Sequence, residues 1–123
     1  MTNSSYEEIP GYSRKDAAEA VRRNDPAELR IVVLSVSLYA RNRNFAEQFC
    51  ENLACHSDEV VRGNSILGFG HLARRFRESD ADRVKPIIEA GLTDKSQYVR
   101  SHAWSAAEDV NRFLGWEVSG FKP

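Results

Sequence analysis

The sequence is poor in cysteine. Only Cys50 and Cys55 occur among 123 residues, too few for a disulfide scaffold and not at C-x-x-C spacing. Long apolar runs are also missing: no stretch approaches the roughly 18 residues that cross a bilayer. The opening segment, MTNSSYEEIPGY, has neither a basic region nor an apolar core, so no secretory signal is expected and a cytoplasmic location is. Glycine and proline are sparse, at 7 and 4, and almost nothing alternates with period two, so strands are not expected. Charge of one sign is lacking too. Seventeen basic and 18 acidic residues leave a net charge of -1, which gives no global field toward nucleic acid or an anionic membrane. Within the basic set arginine far outnumbers lysine, which favours organised ion pairs and interface anchors.

What the chain does have is a three-to-four-residue apolar recurrence and repeated helix starts. Ser13 precedes Asp16, Asp25 precedes Pro26 and Glu28, Asn44 precedes Glu47, Ser57 and Asp58 stand together, Ser79 precedes Asp82, and Asp94 precedes Gln97. Each places a side-chain oxygen or an acid where a helix leaves N–H groups unpaired. The spacing predicts helices over about 14–23, 26–41, 45–55, 58–77, 80–92 and 95–114. The short links between them make antiparallel hairpins.

An apolar–Arg dipeptide recurs in the second helix of each pair: Leu29-Arg30, Val61-Arg62 and Val99-Arg100. The Arg spacings of 32 and 38 residues are in the range of helical solenoids. Counting from each Arg, position three holds Val33, Ser65 and Ala103. Position six holds Val36, Gly68 and Ala106, and position ten holds Ala40, Leu72 and Val110. With the residue before the Arg these form one apolar or small stripe at about 100° per residue. The first helices supply the opposing side chains: Phe45, Phe49 and Leu53, then Val84, Ile87, Ile88 and Leu92.

The stretches "SDEVVRGNSILGFGHL" and Asp94 to Val110 resemble HEAT repeats, and "NDPAELRIVVLSVSLYA" resembles a weaker copy. The resemblance covers about residues 13–114. It implies an all-α protein, an α-α superhelix or solenoid of about three antiparallel hairpins. The expected organisation is an N-terminal extension at 1–12 and a repeat domain at 13–123. Within the latter, 13–41, 44–77 and 79–114 are the repeats and 115–123 a tail. In that family a turn Asp and a second-helix Arg form a ladder, which carries over to Asp25, Asp58 and Asp94 with Arg30, Arg62 and Arg100. First helices of the family often bend at a proline, which fits Pro86. The spacings are unequal and the first pair lacks the small residues, so the first repeat reads as a cap. The tail FLGWEVSGFKP carries enough apolar surface to fold over the last pair; an end left open for a partner is the alternative.

In such a stack the second helices line the concave side. One, five, eight and twelve places after each Arg stand Ile31, Ser35, Leu38 and Asn42; Gly63, Leu67, Gly70 and Arg74; and Ser101, Ser105, Glu108 and Arg112. Position four holds Leu34, Ile66 and Trp104. An apolar band beside a partial Arg column is the composition of a protein-binding hot spot. The expected partner-binding residues are therefore Leu34, Leu38, Asn42, Ile66, Gly70, Arg74, Trp104, Glu108 and Arg112. The competing reading is that the band only joins repeat to repeat and that Arg74 and Arg112 are solvated helix ends.

Chemistry is not expected. His56, His71 and His102 share no metal-ligand spacing with each other or with the cysteines. The "GFG" at Gly68–Gly70 is mid-helix, not a phosphate loop, and adjacent Glu108 and Asp109 project about 100° apart. No catalytic residue, metal or cofactor is assigned. Small cytoplasmic HEAT-like proteins of three pairs are similar to bacterial immunity proteins of contact-dependent and other polymorphic toxin systems. That resemblance implies a protein partner, a toxin domain such as a nuclease, whose site is plugged by the concave face or an acid-rich edge. Glu7, Glu8, Asp58, Glu59, Glu78, Asp80 and Asp82 are the acids available. Two alternatives are a scaffold or regulatory adaptor, and a nucleic-acid binder using Arg41, Arg43, Arg74, Arg75, Arg77 and Arg112, which the net charge disfavours. Oligomeric state is left open.

Overall fold

Short polar side chains open every helix by accepting from an otherwise unpaired backbone N–H. The computed structural model describes residues 11–123, among which are six helices and no strand. Ser13 opens α1 (Arg14–Arg23), its Oγ accepting from the Asp16 N–H at 3.0 Å. Asp25 opens α2 (Pro26–Tyr39), whose first residue is proline, where the missing N–H costs nothing. Asp58 opens α4 (Glu59–Phe76), accepting from Val61 at 2.9 Å.

Three starts differ from the sequence expectation. Asn42, not Asn44, caps α3 (Arg43–Leu53), accepting from Phe45 at 2.8 Å. Asp80, not Ser79, caps α5 (Ala81–Gly91), and Ser96, not Asp94, caps α6 (Gln97–Leu114). Two of the displaced residues have tertiary partners instead. Ser79 donates to Glu47 at 2.7 Å, and Asp94 holds Arg62. Most of the segment expected as an N-terminal extension, Glu7 and Glu8 included, lies outside the described residues.

Consecutive helices pack as pairs, α1 with α2, α3 with α4 and α5 with α6, and the second helices follow one another as α2, α4, α6. Leu29, Val61 and Val99, the residues before each Arg, are all fully buried, each contributing about 2 kcal/mol. Val33, Ser65, Ala103, Val36, Gly68, Ala106, Leu72 and Val110 are buried beside them, while Ala40 at the end of α2 is half-buried. Small residues matter here because the axes come close. A Cβ on Gly68 would lie 2.8 Å from Cys50 Sγ.

Two charged groups, one buried and one half-buried, tie the pairs together. Glu47 is 1% exposed. Its carboxylate accepts from Arg43 at 3.1 and 3.2 Å, from Ser79 and from the Asp80 N–H. It thus ties the start of α3 to the start of α5. Arg75 donates to the carbonyls of Ser37 and Ala40, groups that the end of α2 leaves unpaired.

Residues 115–123 fold back over α5 and α6. Gly115 takes the left-handed conformation (φ 70°) that ends α6. Val118 is buried, with its N–H on Asn111, and the Ser119 N–H donates to Glu89 at 2.8 Å. Phe121 lies on Trp104, ring centroids 4.5 Å apart.

Candidate functional site

Each internal pair boundary carries one bidentate ion pair. Arg30 grips Asp58 with Nε and Nη2 at 3.0 and 2.8 Å. Arg62 grips Asp94 in the same way at 2.9 and 2.9 Å. Arg30 pulls the Asp58 carboxyl down to about 2, helped by the Val61 N–H; Arg62 holds Asp94 below the usual range. Asp25 and Arg100 are the ends of this series. Among the described residues neither has an ion-pair partner, and Arg100 instead donates from Nη1 to the Asp94 carbonyl at 2.7 Å.

The structure divides the residues singled out for partner binding. Ile66 and Gly70 are interior, which corrects their placement on an open face. The positions one and eight after Arg62 look at α6: a Cβ on Gly63 would lie 2.7 Å from the Tyr98 ring, and one on Gly70 2.8 Å from Asp109. Ser35, assigned to the same outward stripe, is 1% exposed. Asn42 is exposed, but its side chain is engaged in capping α3.

Leu34 and Leu38 are half-buried, and with Ile31 at 43% exposure they leave an apolar stripe along α2. Tyr39 continues it at 55%. The positions of α4 that are not buried are Glu59, Val60, Leu67, His71, Arg74, Arg75 and Phe76; on α6 they include Ser101, Trp104, Ser105, Glu108 and Arg112.

The basic cluster is dispersed. Arg74 faces Asp109 at 3.8 Å and His71 Nδ1 at 3.2 Å, Arg75 caps α2, and the Arg77 guanidinium lies over the Phe113 ring at 4.7 Å. Arg43 is taken by Glu47 and Glu78. Arg41 and Arg112 are exposed and have no ion pair among the described residues.

A polar seam between α4 and α6, not foreseen from the sequence, occupies the space that Gly63 and Gly70 leave. Tyr98 donates to Asn64 at 2.7 Å and its ring stacks on His102 at 4.0 Å. Burial holds His71 down to about 4, with Arg74 adding to the effect. Burial raises Asp109, which Arg74 partly offsets. A separate groove of about 760 Å³ runs between α3 and α5, floored by Ala54, Ile66, Pro86 and Ile87. Its residues come from α3, α4, α5 and the segments that follow α3 and α5, so no single stretch of sequence announces it. Among the described residues no three His, Cys, Asp or Glu side chains are placed to hold a metal ion. No helix there is long and apolar enough to cross a membrane.

No family model and no curated protein matches the chain. Among solved structures it is similar to a chain in the crystal structure of a CDI complex from Cupriavidus taiwanensis LMG 19424. The sequences are 21% identical, and the match covers 90% of this chain and 98% of that one with a TM-score of 0.77. At that identity the likeness is one of fold.

Proposed function

We propose that the three helix pairs form a HEAT-like stack that acts by binding a protein rather than by catalysis. The partner is a toxin domain, a nuclease among the candidates, which the chain neutralises as an immunity protein in the cytoplasm. The fold likeness to a chain of a contact-dependent inhibition (CDI) complex carries this reading, because it spans nearly all of both chains. The HEAT-like part draws support from the Arg30–Asp58 and Arg62–Asp94 rungs, which join one pair to the next. Ile31, Leu34, Leu38 and Tyr39 supply an apolar stripe, and Arg41 stands exposed at its end. That combination suits a desolvated contact with a polar rim.

Co-expression with the toxin domain encoded beside the gene tests it. The expected result is a stable complex on size exclusion and restored growth. Ile31→Asp should weaken the complex by about tenfold or more without changing the helical signal, since a charge there must be desolvated only on binding. Failure to bind or neutralise any toxin encoded nearby overturns the reading. So does growth arrest by this chain expressed alone.

A further inference from the structure

The ladder is incomplete at its C-terminal end. Arg62 uses its guanidinium in two halves: Nη1 donates to the carbonyl of His56, six residues upstream, and the Nε–Nη2 edge takes the Asp94 carboxylate. Arg100 repeats the first half in the same register. Its Nη1 donates to the carbonyl of Asp94, also six residues upstream, at 2.7 Å. Its Nε–Nη2 edge has no partner among the described residues. The guanidinium is therefore already anchored in the posture that binds a carboxylate in the preceding pair.

The tail imitates only part of a following pair. In the second pair the residue four places after the Arg, Ile66, packs on the next first helix, its Cδ1 2.9 Å from where a Gly91 Cβ would stand. In the third pair that residue is Trp104, and Phe121 of the tail covers part of it. The apolar contact is thus replaced, and the charged contact is not. Trp104 remains 40% exposed and, with Gln97, Arg100 and Ser101, borders a depression of about 400 Å³. The tail also meets α5 and α6 through the Ser119 N–H on Glu89 and the Val118 N–H on Asn111.

We propose that the Nε–Nη2 edge of Arg100, beside Trp104, is a carboxylate socket that receives an aspartate side chain from a protein partner. Asp58 and Asp94 show the presentation required: an acid in the turn before a helix, with one oxygen shared between the Arg and a backbone N–H. The planar fork selects a carboxylate over a point charge. An apolar residue following the partner's aspartate would lie against the exposed part of Trp104. The biological partner rests on the protein-binding reading above; the chemistry of the socket does not.

The test is an NMR titration of the whole chain, following arginine Nε–H signals and the Trp104 indole N–H at constant ionic strength. The probe is N-acetyl-L-aspartate N-methylamide, with the asparagine analogue and dimethyl phosphate as controls. Saturable movement of the Arg100 and Trp104 signals with the aspartate compound is expected, with Arg30 and Arg62 still. Arg100→Lys, which keeps the charge and loses the fork, should remove most of the Trp104 response. The socket is refuted if Arg100 moves no more than exposed Arg41, or moves equally with dimethyl phosphate. If the aspartate probe binds while no toxin domain does, the immunity reading fails and the socket stands.

Discussion

Arg62 and Asp94, 32 residues apart in the chain, meet through two hydrogen bonds of 2.9 Å each, with side chains only 11% and 17% exposed. The equivalent Arg30 is 43% exposed at its own rung. One geometry thus has two environments, and they set different costs. The carboxylates left behind are alike, Asp58 at 18% and Asp94 at 17% exposure, so the difference lies in the arginines: Arg62 is buried and also donates to the His56 and Ser57 carbonyls, whereas Arg30 is largely hydrated. Arg62→Ala is expected to cost roughly 2–3 kcal/mol and Arg30→Ala clearly less. Urea unfolding of the two variants measures this, and the reverse order would refute the account.

Gly68 is a second test. Alanine should gain about 1 kcal/mol from helix propensity. The added Cβ, however, would lie 2.8 Å from buried Cys50 Sγ and 3.1 Å from Ser37 Cβ. Neither atom is the free end of a long side chain, so the helices themselves must separate, at about 1–3 kcal/mol. A net loss of stability is expected for Gly68→Ala. A rise in Tm would mean that α3 and α4 yield more easily than their contact implies.

Ser35 should behave in the opposite way. Its Oγ is buried and has no hydrogen-bond partner. Ser35→Ala removes an unsatisfied polar atom and adds helix propensity, and should stabilise by about 1 kcal/mol. Thermal unfolding decides: a lower Tm would show that the hydroxyl makes a bond the structure does not display.

Stability should fall on acidification in two stages. His71 is held down to about 4 from an ordinary 6.5, so between these values the unfolded chain binds a proton that the folded chain refuses. Stability is full above about 6.5 and declines as the pH falls toward 4. The loss between pH 7 and pH 5 is on the order of 1–2 kcal/mol. Asp58, held at about 2 against 3.8, adds a decline from just under 4 to 2, as the unfolded carboxyl protonates first. His71→Gln should reduce the first stage, to which His102, also held down by burial, contributes the remainder, and leave the second. Unfolding free energies at pH 7, 5 and 3 would show it, and an unchanged first stage would refute the assignment.

The helices were legible because their signals are local. Ser13, Asp25 and Asp58 stand one residue before the helices they cap, and the stripe led by Leu29, Val61 and Val99 follows the helical period. The helix starts near Asn44, Ser79 and Asp94 fall elsewhere because several polar residues cluster there, and for Ser79 and Asp94 tertiary partners draw the side chain away from the cap. Glu47 reads as a cap residue on a surface helix, yet its carboxylate is interior. Nothing in its neighbourhood reveals that Ser79 and Asp80 return to it. Likewise, Arg74, Arg75 and Arg77 form one basic run in the sequence and three unrelated contacts in space.

By itself the sequence determined an all-helical chain, the residues at the centre of each hairpin, and arginines recurring at one register. Helical periodicity assigns each side chain an angle about its own axis, and burial of the apolar angle follows from that alone. Which neighbour stands at the other angles was decided only by tertiary structure. Ile31, Gly63 and Ser101 share one angle; the first and last meet solvent and the middle one meets Tyr98 of α6, although α2 likewise has α4 beside it. The outward face is therefore a property of how the helices pack together and not of any one helix.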